Sequence, residues 1–330
     1  MSPPWTRDFF LLIADAVKSV SPDVLVVANG ATLGDVVLTR AARWAMGNRR
    51  LKIVLEFPNL KPVHGVDVDV LVTPSHYVAR HPDIEALAES TRARVVVIPP
   101  GIQVASSGTS SVEGGVSEGL SSQERSGDFL HDLACSSDLL ADLGCRDPDC
   151  HVVGFAGRLA PEKGPGLFVA VAEVLAKLLP CTVFVVAGDG PLRLALEAMA
   201  ERLGLASRMH FVGWVDGADL EHLLAGMSLL FNPSLMASET FSVINIQAMA
   251  VGTPVATFGT AGILEYVSPN VNALVLDDAE PRKVATELAE LLLDRPRLDA
   301  FAERGKTDIL SNFGADTAVE RWAELYESLV

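Results

Sequence analysis

Apolar residues along this chain fall into short unbroken runs of Val, Ile and Leu, separated by longer stretches in which they recur every third or fourth position. The runs read as strands covered on both faces, and the longer stretches as amphipathic helices packed on them. In the first part, helices near Trp5 to Val20, Leu33 to Met46 and Ile84 to Ser90 alternate with strands at Asp23 to Ala28, Leu51 to Leu55, Val68 to Thr73 and Arg94 to Ile98. Pro99-Pro100-Gly101 then breaks the pattern. The second part gives strands at Val152 to Ala156, Thr182 to Ala187, His210 to Val212, Leu229 to Asn232, Pro254 to Thr257 and Ala273 to Leu276, again alternating with helices. From about Glu280 onward three helical runs follow without strands. Such alternation is the mark of an α/β protein with doubly wound parallel sheets.

Between the two parts, Ser106 to Gly127 is rich in Ser and Gly and too poor in apolar residues to pack, as expected of a flexible insertion in a linker. A short helix near Phe129 to Leu143 is expected after it. The expected organisation is a first domain over 1–102, a linker over 103–149, a second domain over 150–312 and a C-terminal helix over 313–330 that packs back across the domain boundary.

Composition narrows the functional classes. The 330 residues are 49% apolar with a net charge of -16, which argues against a nucleic-acid partner, since that needs a basic face. No run approaches the roughly 18 apolar residues of a membrane span. The apolar stretch Phe9 to Ala14, flanked by Arg7-Asp8 and Asp15, reads as the buried stripe of a first helix and not as a signal peptide. Four scattered cysteines are too few for a disulfide framework, so a reducing, cytoplasmic setting is expected. Cys135, Cys145, Cys150 and His151 lack the paired spacing of a zinc knuckle, so no metal site is expected.

The candidate chemistry lies in three turns, each following a strand and leading into a helix. In a parallel sheet such turns sit where ligands bind. Arg158 and Lys163, five residues apart in G-R-L-A-P-E-K-G (Gly157 to Gly164), can grip adjacent phosphates, one as a fork and one as a point charge. Gly188-Asp189-Gly190-Pro191 offers two glycines for close backbone approach and a proline at the first helical position, although an ordinary turn explains it as well. Glu239 precedes a helix expected from about Thr240 to Val251, whose first amides, at Phe241 and Ser242, would point at an anion. Gln247 lies about 12 Å further along that helix. Taken alone, Glu239 is better read as a helix cap.

Together these segments resemble the donor half of GT-B-fold retaining glycosyltransferases of family 4. The resemblance runs through G-R-L-x-x-E-K-G at Gly157 to Gly164, G-x-G-P at Gly188 to Pro191 and F-x-G at Phe211 to Gly213. It continues through E-x(7)-E, altered to Gln at 247, A-M-A-x-G-x-P-V at Ala248 to Val255, G-I-L-E-Y-V at Gly262 to Val267 and N-A-L-V-L at Asn272 to Leu276. Two earlier segments, V-T-P-S-H-Y-V at Val72 to Val78 and V-V-V-I-P-P-G-I at Val95 to Ile102, look like pieces of the family's acceptor domain. The resemblance implies two Rossmann-like domains facing a cleft, the first one shortened. It implies a UDP- or GDP-type sugar donor as co-substrate, no cofactor, no metal, and transfer with retention. Arg158, Lys163 and Glu239 become the catalytic set. Gly157, Gly188, Gly190, Gly213, Trp214, Val215, Thr240, Phe241, Ser242 and Gln247 become donor-binding, with Gly213-Trp214-Val215 beside the base and Gln247 at the ribose.

Two departures qualify this picture. Gln247 replaces a carboxylate and should weaken the grip on ribose without abolishing it. The acceptor side lacks the family's opening strand and Gly-Gly loop, and Glu56-Phe57-Pro58 stands where a histidine is common, with His64 off register. The acceptor, whether glycan, lipid or small molecule, is not identified by the sequence. Peripheral membrane contact and a second chain completing the acceptor domain remain open. The alternative is a non-catalytic nucleotide-sugar binder or interaction protein with an incomplete acceptor domain.

Overall fold

The computed structural model describes residues 5–28, 33–47, 51–56, 66–104, 150–235 and 241–330. In chain order the described elements are α1 (Trp5–Val20), β1 (Val24–Val27), α2 (Leu33–Met46), β2 (Lys52–Glu56), β3 (Val70–Thr73), α3 (His76–Ala79), α4 (Pro82–Thr91) and β4 (Arg94–Val97). Then come β5 (His151–Ala156), a 3-10 turn at Pro161–Lys163, α5 (Pro165–Leu178), β6 (Thr182–Ala187), α6 (Arg193–Arg202), β7 (Met209–Gly213), α7 (Gly217–Ala225) and β8 (Leu229–Asn232). The chain continues with α8 (Val243–Val251), β9 (Val255–Phe258), a second 3-10 turn at Ala261–Glu265, β10 (Leu274–Leu276), α9 (Pro281–Leu293), α10 (Arg295–Phe313) and α11 (Ala315–Glu327). The expected insertion at Ser106 to Gly127, the helix at Phe129 to Leu143, and His64, Glu239 and Thr240 lie outside the described residues.

The chain forms two compact units. One comprises Met1–Gly101, Ala261–Glu265 and Phe313–Val330, and the other Ile102–Thr260 and Tyr266–Asn312.

The first unit holds a parallel four-stranded sheet in the order β1-β2-β3-β4. Side chains alternate across it, so Ile53, Leu55 and Leu71 join a core with Val17, Val36, Ala42, Ile84 and Leu87 from the helices. Val54, Val70 and Val72 point to the opposite face, which is covered by Leu325 and Trp322 of α11. Gly101 permits that helix to pack closely: a Cβ there would stand 2.7 Å from the Ala318 Cβ. Arg94 also donates to Ser328 Oγ at 2.9 Å. In the same unit the Glu265 carboxylate accepts from the amides of His76 and Tyr77, at 2.9 and 2.6 Å.

The second unit holds a parallel six-stranded sheet in the order β10-β9-β8-β5-β6-β7. The chain builds outward from β5 to β7, then returns to the other side of β5 with β8. That reversal opens a crevice beyond the strand C-termini at the β5–β8 boundary. Beneath it the core is aromatic at its centre: Phe168 of α5 stacks 6.1 Å from Phe231 of β8 and meets Phe184 of β6 edge-on at 6.3 Å. Gly154 in β5 leaves room for the Met227 side chain, whose sulfur would lie 2.1 Å from a Cβ there.

Three sequence expectations need correction. Helix α8 begins at Val243 and not near Thr240, because Ser242 has left-handed backbone (φ 55°) and cannot continue a helix backwards. From Val243 to Gln247 the helix rises four steps, about 6 Å. Pro191 lies in a turn two residues before α6 and does not start it. Finally, Cys150 is disulfide-bonded, against the expectation of reduced thiols.

Candidate functional site

Four strand ends, those of β5, β6, β7 and β8, supply the site, and hydrogen bonds stitch them together. After β5 the chain turns through Gly157, Arg158, Leu159 and Ala160 into the 3-10 turn Pro161–Lys163. Gly164 closes it in left-handed conformation (φ 66°), and Pro165 then opens α5 with its preset dihedral. Arg158 is well exposed and ion-paired with Glu162 one helical turn on. The Glu162 carboxyl is held below its usual range, first by a hydrogen bond from its own backbone and then, against an opposing desolvation, by the Arg158 guanidinium and Lys163. Lys163, half-buried, ends the same turn, so both cations belong to one short segment at the C-terminal end of β5.

The glycines of the second turn serve this packing. Gly157 N–H donates to the Ala187 carbonyl and Leu159 N–H to the Asp189 carbonyl, both at 2.9 Å. A Cβ on Gly188 would fall 1.9 Å from the Gly157 carbonyl oxygen, and one on Gly190 would fall 2.6 Å from that of Leu159. Gly188 N–H in turn donates to the Gly213 carbonyl at 2.6 Å. The ordinary-turn reading thus accounts for Gly188 and Gly190: they let the β6 turn press against the cation turn. Arg193 braces the third strand end, donating to the Phe211 carbonyl at 3.4 Å and to Glu197 at 2.9 Å. Beyond Gly213 (φ 79°), Trp214 is 70% exposed with its indole N–H on Asp216 at 3.1 Å, so its ring stands available at the strand end.

On the other side of the switch point, β8 runs into Pro233 and Ser234. The Ser234 hydroxyl donates to the Glu162 carbonyl at 2.9 Å, tying this segment to the cation turn. Asn232 donates to Ser242 Oγ at 2.8 Å and to Asn245 Oδ1 at 2.9 Å, and Tyr266 donates to the Ser242 carbonyl at 3.3 Å. These bonds hold Ser242 in its strained conformation at the start of α8. Phe241, expected to present an amide to an anion, is buried with its ring 5.2 Å from that of Tyr266. Gln247 is half-buried on the second turn of α8.

The cation turn, the β6 and β7 turns and the start of α8 are therefore joined through direct contacts in one unit. Glu239 and Thr240 fall outside the described residues. Asn232, Ser234, Asn245 and Tyr266 were missed from sequence; the available signal was the polar residue closing the buried apolar run Leu229 to Phe231. Among the described residues no group of three or more His, Cys, Asp or Glu is placed to hold a metal ion. No helix among them is long and apolar enough to cross a membrane.

Comparison with known proteins falls on the same half. Residues 146–308 match the family model described as Glycosyl transferases group 1. The chain is 33% identical over 181 residues to 2-deoxystreptamine N-acetyl-D-glucosaminyltransferase of Streptomyces fradiae, covering 54% of this chain and 42% of that protein. It is 34% identical over 169 residues to D-inositol 3-phosphate glycosyltransferase of Segniliparus rotundus, covering 50% and 37%. These matches span less than half the length of either relative. In structure, the chain is similar to Anabaena HepE, solved in complex with UDP-glucose, with a TM-score of 0.71 at 19% identity over 97% of this chain and 82% of that one. The fold is thus GT-B-like, and the stretch that carries Arg158, Lys163 and α8 matches the Glycosyl transferases group 1 family.

Proposed function

We propose that the chain is a glycosyltransferase that moves a sugar from a nucleotide-diphospho-sugar to an acceptor with retention of configuration. The observation that carries this reading is the placement of Arg158 and Lys163 on one turn at the strand-order reversal, bonded through Ser234 to the segment leading to α8. Arg158 and Lys163 hold the diphosphate and stabilise the charge that grows on it as the glycosidic bond breaks. Preorganised charge of this kind is usually the largest catalytic contribution. Glu239 holds sugar hydroxyls, Gln247 meets the ribose, and Gly213-Trp214-Val215 borders the base. The leaving phosphate accepts the acceptor's proton on the face it departs from, so no separate carboxylate base is required. The reading assigns the diphosphate charge to these two side chains and to no metal. The UDP-glucose bound in the HepE structure supports a nucleotide-sugar substrate.

The test is incubation with radiolabelled UDP- and GDP-sugars. Donor hydrolysis or transfer is expected; binding without turnover would leave a nucleotide-sugar-binding protein, and no binding would remove the donor site.

A further inference from the structure

We infer that Asn232, at the end of β8, is a positioning residue that locks the cation turn to the start of α8. The inference rests on the donor-site reading above. Asn232 is only 6% exposed and closes a strand whose other residues are buried and apolar. Its side chain is fully engaged: Nδ2 donates to Ser242 Oγ at 2.8 Å and Asn245 Oδ1 at 2.9 Å, and Oδ1 accepts from Ser234 N–H at 3.2 Å. An amide carries two N–H donors and one carbonyl, and all three groups are used.

The link continues at both ends. Buried Ser234 passes it to the Glu162 backbone carbonyl at 2.9 Å, between the Arg158 ion pair and Lys163. Buried Asn245 passes it to Thr257 Oγ1 at 3.5 Å, at the end of β9. A chain of buried side-chain hydrogen bonds therefore runs from β9 through α8 and β8 to the turn after β5, across the place where the strand order reverses. An apolar residue at 232 could fill the volume, but it would leave Ser242, Asn245 and Ser234 with buried polar atoms unmatched. The arrangement also explains why Ser242 tolerates φ 55°: its hydroxyl and its carbonyl are each held from a different element.

The test measures UDP and GDP affinity by calorimetry for the wild type, Asn232→Asp, Ser234→Ala and the double variant, each with a thermal melt. Asn232→Asp keeps the volume and the acceptor for Ser234 but gives up the two donors to α8; Ser234→Ala cuts the other end. Each single change is expected to weaken nucleotide binding roughly tenfold, and the double variant to bind no worse than the weaker single, as coupled residues do. Ser234→Ala removes one hydroxyl and keeps the test alive where Asn232→Asp fails to fold. Lowered melting temperatures with wild-type affinity would reduce Asn232 to a structural residue and overturn the inference, as would additive losses. A wild type that binds neither nucleotide would sink the donor reading itself, whereas a binding wild type matched by its variants would sink the positioning role alone.

Discussion

The backbone of Gly164 stands so close to Pro233 that a Cβ on the glycine would lie 2.4 Å from the proline carbonyl oxygen. This contact sets the turn after β5 against the segment after β8, and Gly164 holds it with φ 66°. Gly164→Ala should therefore destabilise the protein. The left-handed conformation alone costs a side chain roughly 1–2 kcal/mol, and the backbone clash adds to that. Urea denaturation reads the loss; unchanged stability would mean that the two segments part easily.

Lys163→Ala should weaken UDP or GDP binding by about 1–3 kcal/mol, the range for a charge-assisted hydrogen bond. Calorimetry checks this directly. An unaltered affinity removes Lys163 from the donor site and leaves Arg158 to carry the diphosphate.

Leu325 of α11 is buried against Val54, Val70 and Val72 on the second face of the first sheet. Leu325→Ala should cost about 2–5 kcal/mol, as large-to-small changes in a core do. Amide exchange should accelerate first in β2 and β3 while β5 and β6 stay protected. Uniform acceleration across both sheets would instead show a single cooperative unit.

His210 on β7 supplies a pH dependence. Its Nε2 is buried without a hydrogen-bond partner, and burial lowers its pKa below 6.5. The unfolded chain thus takes up the proton more readily, so stability contributed by the neutral ring is present above pH 6.5 and is lost as pH falls through the folded value. His210→Leu should flatten the stability profile between neutral and mildly acidic pH. A slope unaffected by the substitution would place the acid sensitivity elsewhere.

The strands of the second unit were legible almost to the residue because most of their residues are apolar and buried on both faces; β6 and β8 coincide with their expected limits. Long amphipathic helices were equally plain, as α1 and α2 show. Two kinds of feature escaped. The four-residue α3 is too short to display a helical period, and the Glu265 carboxylate that holds its first amides lies far away in sequence. The start of α8 was misplaced because nothing local announces that Ser242 adopts a conformation usual for glycine; Asn232 and Tyr266 impose it from afar. The site was legible in its cations, Arg158 and Lys163, whose spacing is local. Its supporting amides and hydroxyls were not, because their partners are brought together only by the sheet order.

The last helix has a consequence for biosynthesis. Since α11 lines the first sheet, Val54, Val70 and Val72 stay without that cover until α11 itself has left the ribosome. The middle of the polypeptide needs no such wait, so nascent chains should pass through a stage in which the later-made unit is native and the earlier-made one still exposes a greasy flank to chaperones.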